Sequence, residues 1–110
     1  MSFITEQMVS DALAYLAIEP HPVAIAKGEL TKAENDKKIM RAHGFLAAGG
    51  SVAERQAEAE CSAAYAIACQ NEVRATEQYE QARAKINWAN TTIETWRTEN
   101  ANQRAAERMR

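Results

Sequence analysis

The stretch from Ser62 to Arg108 contains neither glycine nor proline. Its apolar residues recur every seven positions in two rows that lie three residues apart, as they would on one face of an α-helix. The first row consists of Tyr65, Tyr79, Ile86 and Ile93, and the second of Ala68, Ala75, Ala82, Ala89 and Trp96. Alternating alanine and larger side chains let a second helix approach closely, so the pattern predicts a long helix that needs a partner helix.

Two shorter helices are predicted before this stretch. The first covers residues 4–17, with Thr5 as its N-cap, because a Thr ahead of an apolar helical face satisfies a free backbone N–H. The second covers residues 22–42 and begins at Pro22, whose fixed φ suits the first position of a helix. Gly44 is the natural stop of this second helix.

Ser51 and Glu54 have the spacing of a capping box, which marks the start of a helix. The last segment, residues 51–108, is therefore predicted to be a long helix, with a pause at Cys61 and Ser62, where the Ser62 hydroxyl caps again. Asn87 to Thr92 is the weakest part of this helix, since Asn and Thr are poor helix formers.

These segments predict an all-α single domain: an extended antiparallel helical hairpin with a short N-terminal helix and one long C-terminal helix. A helix over 22–42 spans about 32 Å and one over 62–108 about 70 Å, so the shorter cannot cover the longer. Tyr79, Ile86, Ile93 and Trp96 are then expected to lack a partner within the monomer. We expect either a homo-oligomer held by coiled-coil contacts or a break near Asn90 that folds the C-terminal end back.

The residue types that carry chemistry are scattered. His21 and His43 read as surface residues, and Cys61 and Cys69 as structural thiols, because neither pair has the spacing of metal ligands. The glutamates fall among arginines and glutamines, as on a solvated helix face. The sequence therefore predicts no enzyme, no metal site and no cofactor.

Charge is segregated along the chain although its net value is only −2. Residues 51–80 carry a net charge of −4 and residues 81–110 a net charge of +3. The basic arm interleaves Trp88 and Trp96 with cations, a combination that suits phosphate pairing and base stacking in nucleic acid. The same asymmetry would also align antiparallel helices of two subunits. The candidate nucleic-acid contacts are Arg83, Lys85, Arg97, Arg104 and Arg108.

The sequence has no apolar run near 18 residues and no secretory series at its start, so we expect no membrane partner and a cytoplasmic location in the host cell.

Several short motifs suggest a family. They are Glu19-Pro20-His21-Pro22, the run from Gly50 to Arg55, the pair Ser62 and Tyr65, and the run from Ile93 to Thr98 with Ala101 and Arg104. In these motifs the chain resembles a group of small uncharacterised helical proteins of tailed phages and prophages. The resemblance covers most of the chain from Pro20 onward. It implies an accessory factor encoded beside phage recombination or replication functions.

The leading hypothesis is a non-enzymatic phage or prophage accessory protein that acts through helix-mediated protein contacts, with a phage or host DNA-processing protein as its partner. Two alternatives remain: direct nucleic-acid binding by the basic C-terminal arm, and inhibition of a host enzyme or defence complex. Trp96 and Arg97 are the expected anchor, because Trp and Arg are enriched at binding hot spots. The expected partner or oligomer interface comprises Tyr79, Ile86, Ile93, Trp96 and Arg97.

Overall fold

The computed structural model describes residues 3–109, and within them the chain forms four α-helices. They are α1 (Glu6–Leu16), α2 (Pro22–Ala47), α3 (Val52–Glu60) and α4 (Ala63–Arg108). The all-α prediction is confirmed. Tertiary contacts divide the chain into two compact units. The central unit is Ala24–Glu80, and the terminal unit comprises the described residues of Met1–Val23 and Gln81–Arg110.

Local capping sets the helix starts that the sequence predicts. The Thr5 side chain accepts a hydrogen bond from the Met8 N–H at 3.1 Å, and the Ser51 side chain accepts one from the Glu54 N–H at 3.2 Å. The pause at Cys61 and Ser62 is also present. There Ser62 Oγ donates to the Ala59 carbonyl and accepts from the Tyr65 N–H, so one side chain ends α3 and starts α4. Three side-chain oxygens therefore fix four helix termini.

The end predicted for the second helix is wrong. α2 continues past residue 42 and through Gly44 to Ala47. A Cβ placed on Gly44 would lie 2.9 Å from Ala59 Cα, so Gly44 is the point at which the backbones of α2 and α3 come close. The glycine is needed for helix crossing and does not stop the helix.

The central unit contains the predicted antiparallel pair. Lys27 Nζ lies 5.1 Å from the centre of the Tyr79 ring, and ten residues later Lys37 Nζ lies 3.0 Å from the Glu72 carboxylate. Residue numbers on α4 fall as those on α2 rise, so the two helices run in opposite directions. Between these contacts the apolar core consists of Leu30, Ala33 and Ala75, with Tyr79 packed against it.

In the terminal unit α1 packs against the C-terminal part of α4. Five buried residues form its core: Val9, Ala12, Tyr15, Ala89 and Ile93. The Tyr15 hydroxyl donates to the Ala82 carbonyl at 3.4 Å, and Lys85 Nζ lies 4.5 Å from the centre of the Tyr15 ring. Ala12 and Ala89 are fully buried, as expected where two helices approach closely.

The break considered near Asn90 does not occur, because α4 runs without interruption to Arg108. Asn90 itself is exposed, whereas the neighbouring Ala89 and Thr92 are buried. Packing of this face stabilises the helix and outweighs the weak helix propensity of the Asn and Thr residues.

Candidate interaction surfaces

The row of α4 residues expected to lack a partner is covered within the monomer. Tyr79 packs on the core of the central unit. Ile93 is buried in the core of the terminal unit, and Ile86 and Trp96 pack against it. The prediction of an exposed row is wrong, because it assumed that the short first helix covers too little of α4. An 11-residue helix extends about 16 Å, and with Ile4 ahead of it, α1 meets the stripe from Ile86 to Trp96.

The predicted Trp96–Arg97 anchor is divided between two environments. Trp96 packs against the core of the terminal unit, whereas Arg97 is exposed on the surface of α4. Binding by this pair stays a prediction. The packing of Trp96 means that its replacement would also disturb the contact between α1 and α4.

Only some of the candidate residues in the basic arm lie together on one surface. Residues 101–109 are all exposed. Arg97, Arg104 and Arg108 follow one another at spacings of seven and four, so they share one face of α4. Trp88 is also exposed, but it lies nine residues, or about two and a half turns, before Arg97. The helix therefore places Trp88 and the three arginines on opposite faces.

The other two candidate nucleic-acid contacts, Lys85 and Arg83, each interact with another residue of the chain. Lys85 lies over the Tyr15 ring in the terminal unit. Arg83 is exposed and has an interaction within the chain. Arg83 lies two heptads before Arg97 and so near the face that carries Arg97, Arg104 and Arg108, whereas Lys85 lies about 120° away from Arg97 around the helix.

The outer face of α2 is a surface that the sequence analysis missed. Ile25, Ile39 and Leu46 are 52%, 47% and 77% exposed. They lie fourteen and seven residues apart, so they form one row along the helix, which we call the outer row. Lys32 occupies the heptad position between the two isoleucines. The heptad spacing of these three residues is present in the sequence, but Lys32 interrupts it.

Gly28 lies three residues after Ile25, beside the outer row. A Cβ added to it would meet no atom within 4 Å, so none of the helices in residues 3–109 crosses α2 closely there. Glycine inside an exposed helix costs roughly 0.5–1 kcal/mol relative to alanine. The packing of the described residues therefore does not require a glycine at position 28.

Electrostatic contacts in the central unit join α2 to α4. The hydrogen bond and ion pair with Glu72 raise the pKa of Lys37 above its ordinary value. On the same side of α4, the hydrogen bond with the Cys69 side chain, followed by burial, raises the pKa of Tyr65. Both shifts favour the protonated forms in the folded chain.

Alkaline pH is expected to weaken the folded state. Lys37 and Tyr65 each hold a proton more tightly when folded than when unfolded, so their contribution is fully present below their ordinary pKa values of 10.5 and 10.0 and is lost as pH rises through the raised values. Urea-unfolding midpoints measured from about pH 8 to 11.5 should fall at the upper end. Glu72→Gln removes the partner of Lys37 and should make that fall shallower, and an equal slope in both proteins would contradict the assignment.

The histidines and cysteines do not converge. Within residues 3–109, no group of three or more His, Cys, Asp or Glu side chains is placed to hold a metal ion. His21 Nδ1 accepts a hydrogen bond from the Val23 N–H, and the ring packs edge-on against Tyr15. The expectation of a core thiol is wrong for Cys61, which is exposed at the end of α3, and Cys69 is half-buried. Cys61 is exposed because it is the C-cap, where the helix ends and the chain turns.

None of the helices in the described part of the chain has the length and apolar character needed to cross a bilayer. Comparison with known proteins finds no matching family model, curated protein or solved structure.

Proposed function

We propose that this protein is a non-enzymatic accessory protein of a phage or prophage, active in the cytoplasm of the host cell, which binds another protein through the outer face of α2. The observation that supports this proposal is the outer row itself. Ile25, Ile39 and Leu46 are between 47% and 77% exposed on a helix whose opposite face is packed on α4. Apolar side chains aligned along one exposed helix face are a surface that a partner helix can cover.

Gly28 gives the outer row a second feature of a helix contact. A small residue beside larger apolar ones lets a partner backbone come close, and the space over Gly28 is open. Binding would then compensate for the free energy that glycine costs in the unbound helix. The partner is expected to be a DNA-processing protein of the phage or host, as the resemblance implies.

The test compares two apolar-to-acid substitutions in affinity purification of the tagged full-length protein from the cells that encode it. Ile39→Asp places a charge in the outer row and should reduce recovery of the partner at least tenfold, because a charge at the centre of an apolar contact costs more than about 1.4 kcal/mol. Val73→Asp is the matched control, since Val73 is 59% exposed on α4, outside the row. Equal recovery with both variants would refute the proposal.

The arginine face of α4 supports a second candidate, nucleic-acid binding. Arg97, Arg104 and Arg108 lie on one side of the C-terminal part of α4, and all three are exposed. Fluorescence anisotropy of labelled single-stranded and duplex DNA, measured with the same proteins at two salt concentrations, distinguishes protein binding from nucleic-acid binding. Salt-dependent binding that survives Ile39→Asp but is lost in the Arg104→Glu, Arg108→Glu double variant would favour the second candidate. Sedimentation of the purified chain identifies the case in which the partner is a second copy.

A further inference from the structure

A cleft lies beside the crossing of α2 and α3. At the crossing Gly44 meets Ala59, which is only 1% exposed, so the two backbones are held close at that point. Residues of α2 and α3 beside this point line a groove of about 460 Å³. This volume is within the range of about 300–1,000 Å³ that is typical of binding pockets. The close contact between Gly44 and Ala59 restrains the two helices that line the groove.

Four of the seven residues that line the groove are apolar. Ala42, Phe45 and Leu46 line it from α2, and Ala59 lines it from α3. Leu46 is also the last member of the outer row, so the groove continues the surface proposed for partner binding. Arg55 lies 5.8 Å from the centre of the Phe45 ring, and its Nε donates to the Gly50 carbonyl, which holds the cation over that ring.

The polar residues that line the groove are two cations and an amide. Lys38 and Arg41 line one side, and Gln56 lines the other. Arg41 already pairs with Glu60 at 2.9 Å. Lys38 forms no salt bridge within the described residues, so its charge is available to a ligand. A ligand that complements this site presents a bulky apolar side chain with a carboxylate beside it.

We propose that the groove between α2 and α3 binds an acidic amphipathic helix of the partner protein, with an apolar side chain on Ala42 and Phe45 and an Asp or Glu paired with Lys38. The proposal rests on the proposed function, because it gives the chemistry of the partner that the outer row would contact. A helical ligand suits the groove, because its apolar lining shares Leu46 with the outer row, which follows the helix axis. A basic helix would be repelled by Lys38.

The experiment selects ligands from a displayed library of helical 16-residue peptides randomised along one face, with the full-length protein as bait. Enriched peptides are expected to carry a Leu, Ile, Met or Phe with an acidic residue within one turn. Lys38→Glu should weaken the chosen peptide at least tenfold, and Glu→Lys in the peptide should restore binding to that variant. Arg74→Glu makes the same change of charge on α4 of the central unit and should have little effect.

Three results would overturn the inference. They are the absence of enriched peptides, enrichment without acidic residues, and equal weakening by Lys38→Glu and Arg74→Glu. If Lys38→Glu retained the partner and Ile39→Asp released it, the groove would be refuted as the binding site. The proposed function would remain supported. If neither Lys38→Glu nor Ile39→Asp released the partner, while acidic peptides still bound at Lys38, the proposed function would be refuted instead.

Discussion

Gly44→Val is expected to lower the free energy of unfolding by roughly 2–3 kcal/mol. A Cβ at this position would lie 2.9 Å from Ala59 Cα and 3.0 Å from Ala59 Cβ, and these backbone-proximal atoms cannot swing aside as the tip of a flexible side chain can. The branched side chain therefore forces α2 and α3 apart, and overpacking of this kind typically costs 1–3 kcal/mol. The better helix propensity of valine offsets only a few tenths of a kcal/mol.

Gly28→Val is the matched control, because both glycines lie inside α2 and only Gly44 has a close neighbour. The Gly28 variant should be as stable as the natural chain or a few tenths of a kcal/mol more stable. Urea unfolding followed by circular dichroism measures both variants. A Gly44 variant that matches the natural chain would show that α2 and α3 do not cross at this point.

Ile93→Asp is expected to detach α1 from α4. Ile93 is 9% exposed and belongs to the cluster that holds Val9, Ala12 and Tyr15. Truncating a buried aliphatic side chain costs about 2–5 kcal/mol, and the desolvated carboxylate adds to that cost. The loss should fall on the terminal unit, with amide exchange accelerated throughout α1. The helix content of α4 in the central unit should change little.

Ile67→Asp provides the control for this substitution, since Ile67 is 58% exposed on the same helix. It should leave amide exchange in α1 unchanged. Sedimentation distinguishes the packing observed here from the interface expected from the sequence. If Ile93→Asp dissociated an oligomer and left α1 protected, Ile93 would belong to an interface between copies.

Part of the candidate surface was readable in the sequence. The exposure of Arg97, Arg104 and Arg108 follows from a polar helix end without apolar partners. The outer row was equally present in the spacing of Ile25, Ile39 and Leu46. Its exposure could not be predicted, because α2 carries two apolar rows and the pattern alone does not tell which of them packs on α4.

The sequence by itself determined the helices and their starts. Capping by Thr5, Ser51 and Ser62 acts over three residues, and the seven-residue apolar period arises from the geometry of a single helix, so both can be read locally. Only the tertiary structure decided which faces meet. In the sequence, Gly44 is compatible with either a helix end or a helix crossing. Its contact with Ala59 in the structure shows that it is a crossing. From the sequence alone, the apolar row around Ile93 could equally have been an interface between copies. The contacts between α1 and α4 that cover it join residues about eighty positions apart and leave no periodic signal in the sequence.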